Sequence, residues 1–128
     1  MRILLPLLMI SSLSFGQVWT GGDTRGNQPC DEYNGLKVTK WDVVPDDYTG
    51  TAFLCEDGKI KGSCGYKDGK KDGLETTWHD NGQVWTEMNY KEGKIIDDYV
   101  LFYNKDGAAY ITVYFQDGLQ VRCEGDCD

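Results

Sequence analysis

Six turn signals punctuate the chain between Glu56 and Gly118: Asp57-Gly58, Asp68-Gly69, Asn81-Gly82, Glu92-Gly93, Asp106-Gly107 and Asp117-Gly118. Successive glycines stand 11, 13, 11, 14 and 11 residues apart, so the pattern returns every 24 to 25 residues. The segments between them carry apolar and aromatic residues in near alternation. An acidic or amide residue before glycine, flanked by such alternation, is the strongest short-range signal for a β-hairpin. In three copies the second glycine precedes the next aromatic residue by eight positions: Gly58 to Tyr66, Gly82 to Tyr90 and Gly107 to Phe115. The chain therefore reads as an all-β protein: a single open, twisted antiparallel meander built from repeated hairpins. Seven or eight strands in sequential order are expected, and no helix beyond the N-terminal leader.

Turn type decides which residues share a face. A two-residue turn at Asn81-Gly82 pairs Trp78 with Trp85 and Glu75 with Met88, which mixes polar and apolar residues on both faces. A three-residue loop with glycine in a bulge position pairs Trp78 with Val84, Thr76 with Thr86 and Leu74 with Met88. Extended to every hairpin, it pairs Leu54 with Ile60, Tyr103 with Ala109, Leu101 with Ile111, Met88 with Ile96, Phe115 with Leu119 and Val113 with Val121. One face is then consistently apolar, and register follows that pattern. The opposite face is mostly polar, with Lys61, Ser63, Glu75, Thr77, Glu87, Asn89 and Thr112. It also carries Phe53, Trp85, Phe102, Tyr110 and Tyr114. Two readings of these five aromatics stand side by side: a layer covered by the N-terminal arm, or an exposed patch that binds a partner.

Residues 1–16 read as a secretory signal peptide, with Arg2 ahead of an apolar run from Ile3 to Ile10 and a small, polar cleavage region ending at Gly16. The apolar run is too short to span a membrane. Cleavage leaves residues 17–128, with 17–47 as an arm plus a degenerate first repeat, 48–123 as the hairpin repeats and 124–128 as an acidic tail. Leu36, Val38 and Val43-Val44 suggest a first strand, closed by a turn at Pro45-Asp46-Asp47. The full chain has a formal net charge of −8, and losing Arg2 makes it −9. That balance argues against nucleic acid and against anionic membrane surfaces as partners, and a monomer with no membrane insertion after leader removal is expected.

Export permits disulfides, and the chain has five cysteines. In the register above, Cys55 and Cys64 point to opposite faces, with Cys55 opposite Lys59 and Cys64 opposite Gly50. They should not bond to each other, because a disulfide needs converging Cβ vectors. Cys30 on the arm is the expected partner of Cys55. Cys123, which that register sets across from Ile111, closes a small terminal loop with Cys127, and Cys64 is left as a buried free thiol. His79 is the one histidine, and no second close cysteine pair accompanies Cys123 and Cys127. No metal site, cofactor site or catalytic constellation is expected, and His79 reads as a solvated residue at a hairpin tip.

Tyr66-Lys-Asp-Gly-Lys-Lys-Asp-Gly-Leu74, Trp78-His-Asp-Asn-Gly82 and Tyr90-Lys-Glu-Gly-Lys94 resemble MORN repeats in their bacterial variant. The resemblance spans Tyr48 to Gln120. It departs from the pattern where Asp98 replaces the glycine found at Gly73, and where one residue is inserted near Ile95-Ile96. It implies an open antiparallel meander and no catalytic residue. Bacterial members are often labelled antitoxin components of toxin–antitoxin systems. The resulting expectation is a secreted or periplasmic, non-catalytic module that presents a sheet surface to a protein partner. The alternatives are an antitoxin-like or immunity protein acting outside the cytoplasm, and an exported enzyme with a site that sequence does not reveal.

Overall fold

A computed structural model describes residues 24–128. The leader (1–16) and the first residues of the arm lie outside the described residues. Nine strands form one open sheet. They are β1 (Leu36–Val38), β2 (Gly50–Glu56), β3 (Lys59–Lys67), β4 (Lys70–Trp78), β5 (Val84–Lys91), β6 (Lys94–Ile95), β7 (Tyr99–Tyr103), β8 (Ala109–Gln116) and β9 (Leu119–Gly125). Neighbours in sequence are neighbours in the sheet, except that short β6 pairs only with β5 and lies off the main path. Two single 3₁₀ turns, Cys30–Glu32 and Trp41–Val43, are the only helical turns among the described residues.

The three-residue loop is realised at two hairpins only. At Asn81-Gly82 and Asp106-Gly107 the glycine alone has positive φ, +85° and +91°, and Trp78 pairs with Val84 and Tyr103 with Ala109. The other four hairpins turn on two residues. Asp57, Asp68, Glu92 and Asp117 all have φ between 50° and 53°, and each is followed by a glycine at 77° to 85°. Two successive left-handed residues define a type I′ turn, whose twist matches that of the strands. The irregularity that a bulge in the loop would have absorbed appears inside the strands instead, between Leu54 and Cys55 and between Cys64 and Tyr66.

The register therefore shifts from the expected one. Cys55, not Leu54, faces Ile60, and Cys64 faces Ala52 rather than Gly50. A strand bulge moves Thr86 opposite Thr77 and Met88 opposite Glu75, while Ile111 faces Phe102. Ile95 faces Tyr90, and Ile96, expected opposite Met88, donates its N–H to the Asn89 carbonyl instead. Gln116 faces Leu119, and Val113 faces Cys123.

The expected split into one apolar and one polar face gives way to a sheet whose central strands are buried on both sides. Cys30, Phe53, Ile60, Trp78 and Val84 form a core on the first face. Ala52, Cys64 and Tyr66 form a second core on the other, packed by Leu36, Trp41, Val44 and Tyr48. The arm supplies both covers. Residues 25–33 cross the first face, where the Arg25 guanidinium lies 5.5 Å from the Phe53 ring and 5.8 Å from that of Trp78. Residues 41–48 cross the second.

The strand expected between Leu36 and Val44 is shorter and has the opposite sense. β1 ends at Val38 and runs parallel to β2, because the chain crosses the second face before returning. The phenol of Tyr48 fixes that return: its hydroxyl donates to the Thr51 carbonyl at 2.7 Å and accepts from the Leu36 N–H at 3.2 Å. The turn at Pro45 closes with the Tyr48 N–H on the Pro45 carbonyl. No helix among the described residues is long and apolar enough to cross a membrane.

Candidate functional site

The structure does not gather the five singled-out aromatics into one patch. Phe53 is 2% exposed, beneath Tyr33 and Arg25, and belongs to the first core. Trp85 is 40% exposed and packs edge-on to Phe102, with ring centroids 6.4 Å apart. Tyr114 packs on Tyr99 at 6.2 Å and carries Arg122 4.0 Å from its ring centroid. Tyr110 sits at the tail, where its carbonyl accepts from the Asp126 N–H. The cysteines bond as expected: Cys30 to Cys55 and Cys123 to Cys127, with Cys64 a buried thiol.

Among the described residues, the arm covers the β2–β5 end of the first face and no other part of it. Beyond it lies a groove of about 370 Å³ lined by Leu74, Glu87, Tyr99, Leu101 and Tyr103, with Asp97 and Asp98 on its rim. Its origin is local. The extra residue near Ile95-Ile96 breaks the strand after Ile95, so β5 and β7 meet at a single pair, Thr86 and Phe102. Asp97 seals the break by accepting from the Asn89 backbone N–H at 2.6 Å and from its side-chain amide at 3.2 Å. Leu74 and Tyr99 remain 46% and 55% exposed.

A buried polar group occupies the second face. Glu75, expected on the polar face, is buried, and Lys71 donates to its Oε1 at 2.8 Å. The Lys71 ammonium lies 5.1 Å from the Trp41 ring centroid and 4.9 Å from that of Tyr90, a geometry that stabilises the cation. Burial of these charges is tolerable because they are paired and hydrogen-bonded.

Cys64 shares this environment. Burial, and secondarily the Glu75 carboxylate, pushes its thiol from 9.0 up to about 12. The same causes, in the same order except that Cys64 itself comes between them, push Tyr66 up to about 12. Cys64 is thus a neutral, inert thiol in the folded protein. Its folded pKa lies above its unfolded one, so the stability it contributes is complete below pH 9 and is lost as pH rises toward 12. About 1 kcal/mol should already be lost by pH 10. Denaturant titrations at pH 8 and 10 should show that drop, and Cys64→Ala should reduce it. A thiol that reacts with a disulfide reagent at pH 8 as fast as free cysteine would contradict this.

His79 is not a solvated tip residue. Its Nε2 lies 2.7 Å from the Tyr103 carbonyl, which can only accept, so that nitrogen carries the proton. Its ring stacks on Trp85 at 5.4 Å. Among the described residues no group of three or more His, Cys, Asp or Glu side chains could hold a metal ion.

Fold and site together define a disulfide-tethered, hairpin-repeat β-sheet protein with an open half-face. Compared with family models, curated proteins and solved structures, the chain matches none.

Proposed function

We propose that this chain is an exported, non-catalytic binding module whose open half-face takes a protein partner. The observation that carries the reading is the groove between β5 and β7: exposed Leu74 and Tyr99 beside Leu101 and Tyr103, rimmed by Asp97 and Asp98. The groove is mainly polar, with Leu74 and Tyr99 as exposed anchors among Glu87, Asn89, Asp97 and Asp98. A few apolar and aromatic anchors in a polar surround are usual at a protein interface, and the carboxylates favour a partner with basic residues around an apolar one. A non-catalytic role fits a thiol that stays protonated and a histidine whose ring N–H is committed to a backbone carbonyl. Two disulfides are compatible with an extracytoplasmic protein.

Two experiments test the two halves of the proposal. N-terminal sequencing of the exported protein should start at or near Gln17, and recovery of the full-length chain in the cytoplasm would count against export. The tagged mature chain, used as bait against envelope and culture-medium proteins, should retain a stoichiometric partner. Leu74→Glu with Tyr99→Ala should weaken that retention by roughly tenfold or more. Undiminished capture by a folded double variant would sink the assignment of the groove.

A further inference from the structure

A second depression lies on the other face, at the end of the β4–β5 hairpin, and the protein-binding groove does not include it. It encloses about 320 Å³ and is lined chiefly by Trp85, His79, Thr77, Leu54, Asp80 and Lys105. Its floor is a rigid aromatic platform. The half-exposed Trp85 indole packs against the tilted His79 ring, with centroids 5.4 Å apart, and nearly perpendicular to Phe102 at 6.4 Å. His79 is itself pinned through Nε2 to the Tyr103 carbonyl, and Asn81 ties the same two hairpins by donating to the Lys105 carbonyl at 2.9 Å. The platform is therefore fixed by contacts between successive repeats and not by a flexible loop.

The rim is polar but electrically balanced. The Lys61 ammonium is paired with Asp80 at 3.0 Å and also reaches the Asn27 side-chain oxygen at 3.4 Å. That contact holds the Asp80 carboxyl below its usual range, so it stays an acceptor at neutral pH. Asp80 remains largely exposed, leaving its second oxygen open to solvent. Lys105 supplies a donor and Glu56 a further acceptor at the same rim.

A flat aromatic surface with one donor and acceptors at its edge, and no excess of either charge, suits a ligand that is flat, apolar on its face and hydroxylated around its rim. An anion would meet Asp80 and Glu56, and a cation would meet Lys61 and Lys105. We propose that the Trp85 depression binds a neutral glycan, stacking the C–H face of an all-equatorial pyranose on the indole while Asp80 and Lys105 bond its hydroxyls.

Isothermal titration of the mature protein with the hexasaccharides of β-1,4-linked glucose and of β-1,4-linked N-acetylglucosamine tests this, with hexagalacturonate as the anionic control. Saturable binding of at least one neutral hexamer is expected, with a Kd between micromolar and millimolar. Trp85→Ala should weaken it by roughly tenfold or more in a variant that circular dichroism shows to be folded, and Lys105→Ala should weaken it less. Tyr99→Ala, on the opposite face, should leave it intact while impairing capture of the protein partner, so the two sites fail separately. Three results would overturn the proposal: no saturable binding of either neutral hexamer, binding that survives Trp85→Ala, or tighter binding of the anionic hexamer. Loss of the protein partner on Trp85→Ala, without glycan binding by the wild type, would assign the depression to a protein and also overturn it.

Discussion

Replacing Cys30 and Cys55 together by serine is expected to destabilise the domain by about 3 kcal/mol. The bond spans 25 residues, and closing a loop of that size removes about this much free energy from the unfolded ensemble. The loss also has a local address. Cys30 is 7% exposed and packs with Phe53, Ile60 and Trp78. Its N–H bonds to the Gly58 carbonyl at 2.9 Å, and the Ile60 N–H bonds to the Gln28 carbonyl at 2.9 Å. These backbone bonds hold the arm on the sheet once the disulfide has brought it there. In a domain of this size the midpoint of thermal unfolding should fall by roughly 10 °C or more. The pair Cys123→Ser with Cys127→Ser should cost less, because it frees only four residues of separation at an exposed tail. Equal effects of the two pairs would mean that the arm does not depend on its tether.

Gly69→Val is expected to cost roughly 3 kcal/mol, and Gly82→Val only about 1. Both glycines have left-handed φ, +80° and +85°, where a β-branched residue is strained. They differ in their surroundings. A Cβ on Gly69 would fall 2.2 Å from the Asp46 carbonyl oxygen, which is backbone and cannot step aside. Gly69 also donates its N–H to the Tyr48 carbonyl at 2.8 Å. The β3–β4 turn is thus where residues 46–48 dock, and the added isopropyl group would push the second-face cover away. At Gly82 the nearest atom is the Gly26 carbonyl oxygen at 3.5 Å, so backbone strain stands nearly alone. Urea unfolding of the two variants should separate these terms, and equal losses would reject the docking of residues 46–48 on this turn.

The hairpin repeat was legible because it is local: each turn announces itself by two residues. Turn type was carried by a subtler signal. The spacings of 13 and 14 residues end at Gly82 and Gly107, the two bulged loops; each holds two extra loop residues, His79-Asp80 and Asn104-Lys105, and the longer one also holds the insertion near Ile95-Ile96. The shorter spacings end at type I′ turns. A single rule applied to every hairpin therefore slips the register by one residue beside the type I′ turns and by two beyond the strand bulges, where Cys64 meets Ala52 and Val113 meets Cys123; an odd slip exchanges faces and an even one restores them. Opposite faces for Cys55 and Cys64 survive because the bulge between Leu54 and Cys55 adds a second residue to the slip and restores the expected parity at Cys64, so the two side chains join separate cores.

The second-face network was hidden for a different reason. Nothing near Glu75 in sequence indicates that Trp41, more than thirty residues earlier, will come over Lys71 and close the site. The parallel sense of β1 was hidden likewise, since it follows from the path of the arm. The groove was half legible. The insertion at Ile95-Ile96 marked where the repeat breaks, but not that the break would expose Leu74 and Tyr99.

The division of the first face into a covered and an open half is the claim on which the binding proposal depends, and hydroxyl-radical footprinting of the mature protein tests it directly. Tyr99 and Leu74 should be oxidised quickly, and Phe53 and Trp78 should be protected until the protein unfolds. Labelling of Phe53 and Trp78 as fast as Tyr99 would show that the arm does not cover the sheet, and would contradict the account.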